Sequence, residues 1–269
     1  LGSRRGIERE LLEERNVPYG AVTTGKLRRY LSLQNLVDAL RVPVGVVEAL
    51  VHLLRLRPAL VFSKGGFVAV PVVLAAALLR EPVVLHESDR TPGLANRICA
   101  PFARTVLVTF PDTAFRSRRG RRRVVTGAPV RPELLAGDRA RGLAFAGLDG
   151  RRPVLLVMGG SLGAAALNDV VRDTLPELLR ERCVVHLCGR GRLHSSLQGV
   201  GGYRQFEFVG PELPDLLAAA DLVVSRAGAT ALLELLALRR PHVLVPLPRA
   251  ASRGDQIENA AWSAEAGFS

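Results

Sequence analysis

Two glycine-rich turns have residue types that could hold a phosphorylated ligand. Residues 158–163 read Met-Gly-Gly-Ser-Leu-Gly, residues 225–230 read Ser-Arg-Ala-Gly-Ala-Thr, and each stretch follows or ends an apolar run. Glycine allows a ligand to approach the backbone closely, and the first N–H groups of a helix attract phosphate. Neither turn has the spacing of a dinucleotide-binding fingerprint or the Lys-Ser/Thr pair of a P-loop. Together the turns predict a nucleotide site, although the first could also be only a tight strand-to-helix turn.

Three polar side chains accompany these turns. Glu234 falls in the first turns of the helix predicted after residue 228, where a carboxylate can accept hydrogen bonds from the vicinal hydroxyls of a ribose or complement the helix dipole. Arg131 follows Gly-Ala-Pro-Val at a predicted hinge and could grip a phosphate with its fork, or be one of many surface arginines. Gln256 belongs to a polar run that could bind sugar hydroxyls, with helix capping by Asp255 as the alternative.

Acid–base chemistry is possible at a second place, in the first half of the chain. His86 and Glu87 follow an apolar run directly, and Asp89 lies two residues further on. A histidine beside carboxylates can move protons, but Asp89 or Thr91 can equally cap a helix that begins near Pro92. The pattern favours a structural role for Asp89 and leaves both roles open for Glu87.

The elements that must position these residues alternate between strand-like and helix-like segments, which is typical of parallel α/β sheets. A first series of predicted strands covers residues 59–62, 82–85, 105–109 and 123–126, and a second covers 153–158, 183–187, 205–209, 222–225 and 242–245. Most of the candidate residues come just after a strand, where ligands bind in such sheets. We therefore predict two doubly wound, Rossmann-like domains, residues 1–131 and 132–269.

Composition excludes several classes of protein. The chain has 269 residues and a net charge of +12, which would attract nucleic acid, an anionic membrane or a phosphorylated substrate. It contains no nucleic-acid reader motif and no aromatic stacking platform, so we expect no nucleic-acid partner. Three cysteines without a CxxC pair predict neither a disulfide framework nor a metal site, and they suit a reducing compartment.

A membrane surface remains a candidate partner. The longest apolar run, residues 67–79, is too short to span a bilayer. Residues 42–57 are apolar around most of a helical circumference and are flanked by Arg41, Arg55 and Arg57. Such a helix could dock on an anionic surface, or it could pack between a sheet and solvent.

Seven motifs resemble, in order and spacing, the MurG family of bacterial glycosyltransferases. They lie at residues 63–71, 86–96, 127–131, 158–164, 203–208, 225–228 and 252–256, so the resemblance covers essentially the whole chain. The forms at residues 86–89 and 252–256 are similar to those of Gram-positive Firmicutes. The resemblance implies the GT-B fold, in which two Rossmann-like domains face a cleft.

The activity that this resemblance implies is an inverting transfer of N-acetylglucosamine from UDP to the 4-hydroxyl of the muramyl sugar on lipid I. The product is lipid II, an intermediate of peptidoglycan biosynthesis. The implied partners are UDP-N-acetylglucosamine, lipid I and the anionic cytoplasmic face of the cell membrane, where the protein would be peripheral; no cofactor and no metal are implied. The nearest alternative is a related GT-B enzyme with another lipid acceptor, such as diacylglycerol. An NAD-dependent oxidoreductase is a distant one, because its glycine fingerprint is missing.

The resemblance implies that the sugar donor, UDP-N-acetylglucosamine, binds in the second domain. It implies that the backbone at Val209 meets the uracil and that Glu234 binds the ribose hydroxyls. The remaining implied donor contacts are Ser161, Ala229 and Thr230 at the diphosphate, Gln256 at the sugar hydroxyls and Arg131 reaching the donor from the hinge.

The resemblance also implies an acceptor cleft in the first domain, with Gly65, Gly66, His86 and Asp89 as its candidate residues. Family members begin with a strand and a glycine-rich turn containing a histidine that is a candidate base, and they end with a strand and helices that return to the first domain. Neither element is found in this sequence, so we expect inefficient transfer and keep Glu87 as a substitute candidate for the catalytic role.

Overall fold

The computed structural model describes residues 1–4, 9, 12–25, 33–115, 122–160, 164–249, 252 and 254–269. The chain divides into two compact units, Leu1–Gly127 and Ala128–Ser269. The predicted boundary after Arg131 lies four residues beyond this division. Arg131 and the rest of the 127–131 motif after its first glycine therefore belong to the second unit.

The first unit is built on a parallel four-stranded sheet. Its strands, in the spatial order β3-β4-β5-β6, are β3 (Val61–Ser63), β4 (Val83–Glu87), β5 (Thr105–Val108) and β6 (Arg122–Val125). Two short strands, β1 (Gly2–Ser3) and β2 (Ala21–Val22), pair separately with each other. The helices are α1 (Leu33–Leu56), α2 (Ala69–Leu78) and α3 (Leu94–Cys99), followed by a 3-10 turn at Ala100–Phe102. All four strands of the sheet lie within three residues of their predicted positions.

A single aliphatic core holds this unit together. Leu85 and Val108 on neighbouring strands, Val73 on α2 and Ala49 on α1 are all fully buried in it. Burial of such side chains is the main favourable term in folding, worth about 25 cal/mol per Å² of apolar surface removed from water. The two central strands, β4 and β5, carry apolar residues on both faces over most of their length, so they read as nearly continuous apolar runs in the sequence.

The second unit is built on a parallel five-stranded sheet in the order β11-β10-β7-β8-β9. The strands are β7 (Val154–Met158), β8 (Cys183–Leu187), β9 (Tyr203–Phe206), β10 (Leu222–Ser225) and β11 (His242–Leu244). The helices are α4 (Arg139–Ala146), α5 (Ala165–Asp173), α6 (Leu175–Glu181), α7 (Leu213–Ala219), α8 (Ala229–Ala237) and α9 (Asp255–Glu265). Two 3-10 turns lie at Pro132–Ala136 and Ser195–Leu197.

Both faces of this second sheet are covered. Leu156 and Val185 point into one core cluster, whereas Leu155, Val157 and Val184 point into another. Neighbouring residues of one strand thus enter different cores, as the alternation of side chains along a strand requires. This arrangement is the doubly wound α/β fold that the sequence predicts, with strand β9 beginning two residues earlier than predicted.

Among the described residues, no helix combines the length and the apolarity that crossing a bilayer requires.

Candidate functional site

The second unit has a topological switch point beside its central strand. From β7 the chain runs outward to β8 and β9, and it then returns to the other side of β7 to form β10 and β11. Strands β7 and β10 are parallel neighbours whose last residues, Met158 and Ser225, are paired in register. Ligands of open α/β sheets bind beyond the carboxyl ends of strands at such a point. The fold therefore brings the described start of the first glycine-rich turn, residues 158–160, beside the second glycine-rich turn; residues 161–163 lie outside the described residues.

Helix α8 begins at this switch point with unbonded donor groups. Its N-cap is Gly228, and no side chain among the described residues caps the helix. Leu232 is the first residue whose N–H bonds back along the helix, to the carbonyl of Gly228 at 3.0 Å. The N–H groups of the first turn, which includes Ala229 and Thr230, carry the positive end of the helix dipole. A helix start of this kind can accept an anion, and the diphosphate contact at Ala229 and Thr230 stays a prediction. Ser161, the third predicted diphosphate contact, lies outside the described residues.

Glu234 and Arg131 form a bidentate ion pair within the second unit. Nε of Arg131 lies 2.9 Å from one carboxylate oxygen of Glu234, and a terminal nitrogen lies 3.2 Å from the other. Glu234 is buried on the second turn of α8, whereas the side chain of Arg131 is 56% exposed. The two predicted donor contacts, 103 residues apart, therefore bind each other in this structure.

Val209 presents an unused pair of backbone groups. Its side chain is buried in the core cluster between the sheet and helix α7. Within the described part of the chain, no residue bonds to its N–H or its C=O. One donor and one acceptor at adjacent positions match the edge of a pyrimidine base, which carries an N–H beside a carbonyl.

Gln256 and Asn259 connect helix α9 to the loops of the switch point. The side-chain oxygen of Gln256 accepts from the N–H of Leu247 at 3.1 Å, so the amide NH₂ is the group that can face a ligand. Fully buried Asn259 donates to the carbonyl of Ala227 at 3.1 Å, and its own oxygen has no partner in the described structure. Asn259 belongs to the polar run that was predicted as a possible sugar site, but Gln256 alone was singled out from that run. The available signal was its spacing, since a polar residue three positions after Gln256 lies on the same helical face.

Arg226 fixes the second glycine turn from within. Its terminal nitrogen donates to the carbonyls of Val245 at 3.1 Å and Pro246 at 3.3 Å, which anchors the loop that follows β11. Burial lowers the pKa of its guanidinium from the ordinary value. A cation held in this way adds positive potential to the end of β10 while its hydrogen bonds go to the protein.

A buried polar network supports the helix that follows the first glycine turn. His186 on β8 lies 3.0 Å from the Asn168 side-chain oxygen on α5 and 3.0 Å from the hydroxyl of Tyr203 on β9. Asn168 donates its NH₂ to the carbonyl of Cys188 at 2.9 Å. The amide oxygen must therefore accept from Nε2–H of His186, which leaves Nδ1 to accept from Tyr203.

Burial decides the charge state of this network. It lowers the pKa of His186 to about 4, with a further contribution from Arg172, and it raises the pKa of Tyr203 to about 12. The histidine is neutral at physiological pH and acts as a hydrogen-bonded strut between β8 and α5. None of these residues was predicted as functional.

In the first unit, Glu87 organises the loop between β4 and α3. One of its oxygens accepts from the N–H of Asp89 at 3.1 Å, and the other accepts from the N–H of Gly93 at 3.0 Å and from the side chain of Asn96 at 2.9 Å. The carboxylate is almost fully buried. These contacts are those of a structural carboxylate, and they favour the structural alternative for Glu87 over the catalytic one.

His86 and the two glycines surround the same loop. Nε2 of His86 lies 3.1 Å from the carbonyl of Gly127, the last residue of the unit. Gly65 and Gly66 adopt left-handed φ values of 86° and 83°. A side chain at position 65 would approach Asn96 within 2.9 Å, whereas one at position 66 would meet nothing within 4 Å. Asn96, which was not predicted, is thus the residue that joins Gly65, His86 and Glu87 into one cluster.

Among the described residues, no group of three or more His, Cys, Asp or Glu side chains is arranged to hold a metal ion.

Comparisons with known proteins agree with this geometry. Residues 1–108 match the glycosyltransferase family 28 N-terminal domain, and residues 154–268 match the glycosyltransferase family 28 C-terminal domain. Two Rossmann-like units with these matches define a glycosyltransferase of the GT-B class.

Curated relatives narrow the class to one family. The chain is 52% identical over 260 residues to the Bacillus cereus protein named UDP-N-acetylglucosamine--N-acetylmuramyl-(pentapeptide) pyrophosphoryl-undecaprenol N-acetylglucosamine transferase 2, covering 97% of this chain and 74% of that one. It is 48% identical over 271 residues to the transferase of the same description from Clostridium perfringens, covering 100% of this chain and 75% of the relative. The chain therefore belongs to the MurG family, and it is a hexosyltransferase.

Solved structures give the same result. The crystal structure of Acinetobacter baumannii MurG aligns with a TM-score of 0.73 at 27% identity, covering 98% of this chain and 74% of that one. A glycosyltransferase of kitacinnamycin aligns with a TM-score of 0.70 at 16% identity, covering 97% of this chain and 75% of that one, which shows the shared fold alone.

Proposed function

We propose that this chain transfers N-acetylglucosamine from UDP-N-acetylglucosamine to the 4-hydroxyl of the muramyl sugar of lipid I, with inversion, to give lipid II for peptidoglycan. The observation that carries the proposal is the site of the second unit, where an uncapped helix start lies one turn from a buried carboxylate at the switch point. The activity for which relatives at 48–52% identity are named supports the choice of donor and acceptor.

The second unit is the donor unit in this proposal. The backbone of Val209 binds the uracil edge, Glu234 binds the ribose hydroxyls, and the first turn of α8 with Ala229 and Thr230 binds the diphosphate. Ser161 contributes to the same diphosphate site. Gln256 offers its amide NH₂ to the sugar hydroxyls, since its oxygen is held by Leu247.

The chemistry in this proposal is a direct displacement at the anomeric carbon. The oxygen of the acceptor hydroxyl forms a bond to that carbon as the bond to the UDP oxygen breaks, and the hydroxyl proton passes to a general base. The departing diphosphate gains negative charge. Donors that already point at the diphosphate stabilise this charge without reorganisation. The start of α8 supplies them, and Arg131 adds a full positive charge nearby.

The first unit is the acceptor unit in this proposal. The cluster of Gly65, Gly66, His86 and Asp89 lines the acceptor site, and Glu87 shapes it by holding the loop through the N–H groups of Asp89 and Gly93. The catalytic base stays unassigned.

Helix α1 gives the proposed acceptor unit a route to the membrane surface. Ala49 and Leu53 face the core, whereas Val44, Val47 and Val51 are exposed at helical spacing on another face. Leu54 continues this exposed stripe, and the nearby Arg41, Arg55 and Arg57 are exposed too. An apolar stripe beside arginines is the pattern of a helix that lies on an anionic membrane. The relatives are named for an acceptor with an undecaprenyl tail. A protein that lies on the membrane surface can reach such an acceptor.

The acceptor assignment is tested by mass spectrometry of the lipid products. Vesicles containing either the undecaprenyl-linked muramyl-peptide or diacylglycerol are incubated with the protein and UDP-N-acetylglucosamine or UDP-glucose. We expect addition of one N-acetylhexosamine to the muramyl lipid only. A sugar on diacylglycerol, or equal use of UDP-glucose, would assign the chain to the alternative GT-B activity.

Membrane docking is tested by co-sedimentation with vesicles that contain phosphatidylglycerol. Val47→Asp is expected to lower binding at least about fivefold, because a charge would replace an apolar contact. Val17→Asp changes an exposed valine of the same unit away from α1 and is the matched control. Equal binding by both variants would remove α1 from the membrane interface.

A further inference from the structure

The Arg131–Glu234 ion pair occupies the group that the proposed function assigns to the ribose. Both carboxylate oxygens of Glu234 are engaged by one guanidinium, at 2.9 and 3.2 Å. A vicinal diol also binds a carboxylate best with one hydroxyl on each oxygen. Diol and guanidinium therefore compete for the same in-plane positions, and a ribose that binds here must displace Arg131.

The two partners differ in how easily they can move. Glu234 is buried on the second turn of α8, and the helix fixes its backbone. Arg131 precedes the 3-10 turn at Pro132–Ala136, and its carbonyl accepts from the N–H of Leu134 at 3.1 Å. Its backbone is thus held, but its side chain is 56% exposed. The guanidinium of Arg131 is the group that can swing away without any change of fold.

Displacing Arg131 has a different consequence for each kind of ligand. A nucleoside removes the guanidinium from Glu234 and offers it no new partner. A nucleoside diphosphate removes it too, but brings an anion to the start of α8, one helical turn before Glu234. A fork-shaped cation matches phosphate oxygens as well as it matches a carboxylate.

We infer that the Arg131–Glu234 pair makes the donor site selective for phosphorylated ligands. The pair disfavours the binding of nucleosides, because their ribose must displace Arg131 from Glu234 without compensation. Nucleoside diphosphates bind more readily, because their diphosphate replaces Glu234 as the partner of Arg131. This inference rests on the proposed function, because that function places ribose at Glu234 and diphosphate at the start of α8. Arg131 thereby acts twice, as a competitor of the ribose and as a ligand of the phosphate.

The test compares the affinities of uridine and UDP for the same protein sample by calorimetric titration. In Arg131→Gln we expect uridine to bind about 3-fold tighter, which is what release of a partly exposed ion pair provides. We expect UDP to bind about 10-fold weaker, because a charge-assisted contact to phosphate is lost. The preference for UDP over uridine then falls about 30-fold. Partial misfolding lowers the apparent number of sites for both ligands alike and leaves this ratio unchanged.

Two further variants make the test specific. Arg139→Gln removes a different partly exposed ion pair of the same unit, Arg139–Asp221. It should leave the ratio of the UDP and uridine affinities within about 2-fold of the native value. Glu234→Gln removes the carboxylate that binds the ribose, and it should weaken the binding of both uridine and UDP.

Two results would overturn the inference while sparing the donor site. Unchanged uridine binding in Arg131→Gln, with UDP weakened, would mean that Arg131 binds phosphate but does not guard the ribose position. An equal loss of affinity for uridine and for UDP would mean that Arg131 has a structural role only. If the native protein bound no UDP, the proposed function would fail first and this inference with it.

Discussion

Mild acid should destabilise the second unit of the native protein more than the second unit of a His186→Gln variant. His186 is fully buried between Asn168 and Tyr203, and burial lowers its pKa to about 4. In the unfolded chain the same ring has a pKa of about 6.5. Above pH 6.5 the ring is neutral in both states. Between pH 6.5 and pH 4 the unfolded chain takes up a proton that the native state refuses, so native stability is progressively lost.

The size of this loss of stability follows from the difference between the pKa values of His186 in the native and unfolded states. A pKa difference of about two and a half units corresponds to about 3 kcal/mol of the free energy of unfolding, complete near pH 4. The variant cannot lose this contribution, because glutamine does not titrate. The variant is expected to be less stable than the native protein at pH 7.5, since glutamine fills the buried polar site imperfectly. The gap between their free energies of unfolding should narrow by about 2.5 kcal/mol between pH 7.5 and pH 4.5.

Urea unfolding followed by tryptophan fluorescence measures the gap. The chain has a single tryptophan, Trp262 on helix α9, so the signal reports on the second unit. Titrations at pH 7.5, 6, 5 and 4.5 trace the gap, and carboxylates that titrate in both proteins cancel in the comparison. A gap that stays constant from pH 7.5 to 4.5 would show that His186 is not held neutral, and the account of the network would be wrong.

The remaining predictions concern the loop cluster of the first unit. Gly65→Ala should destabilise it by about 2–4 kcal/mol, because a left-handed φ and a clash with Asn96 act together, whereas Gly66→Ala should cost about 1 kcal/mol from φ alone. Hydrogen exchange of the β4 amides measures both, and equal effects would remove the Asn96 contact from the explanation. Glu87→Gln should cost about 2 kcal/mol in the same experiment, because an NH₂ group would face backbone donors. The exposed change Glu14→Gln should have no effect, and a Glu87→Gln protein as stable as this control would refute the structural role.

The strands and the loops that carry the site were predictable because parallel strands are buried on both faces. Most of their sequences are apolar runs, and polar residues at or directly after their last positions, such as Glu87 and Arg226, mark the carboxyl ends of the strands. Strand β9 begins two residues and ends three residues earlier than the predicted 205–209. Its first residue, Tyr203, is fully buried although its side chain carries a polar hydroxyl. Only in the fold does that hydroxyl meet His186 and become compatible with burial.

The partners of the site residues could not be read from the sequence. Each of Arg131 and Glu234 was predicted as a donor contact, but nothing in a linear pattern joins two residues 103 positions apart. Asn96 was part of a quoted motif without a role, because its importance comes from Gly65 and Glu87, which other loops bring to it. Local patterns predict where a polar group lies along a strand or helix, whereas tertiary packing decides which group it binds.

The most direct test of the central claim is calorimetric titration of the chain with UDP-N-acetylglucosamine, with UDP-glucose and NAD in parallel, on the native protein and on Glu234→Ala. The account predicts saturable binding that prefers UDP-N-acetylglucosamine, no binding of NAD, and at least a tenfold loss of affinity in the variant, because a carboxylate that accepts two hydroxyl hydrogen bonds is removed. Binding of NAD by the folded protein, or UDP-N-acetylglucosamine affinity that is unchanged without Glu234, would contradict it.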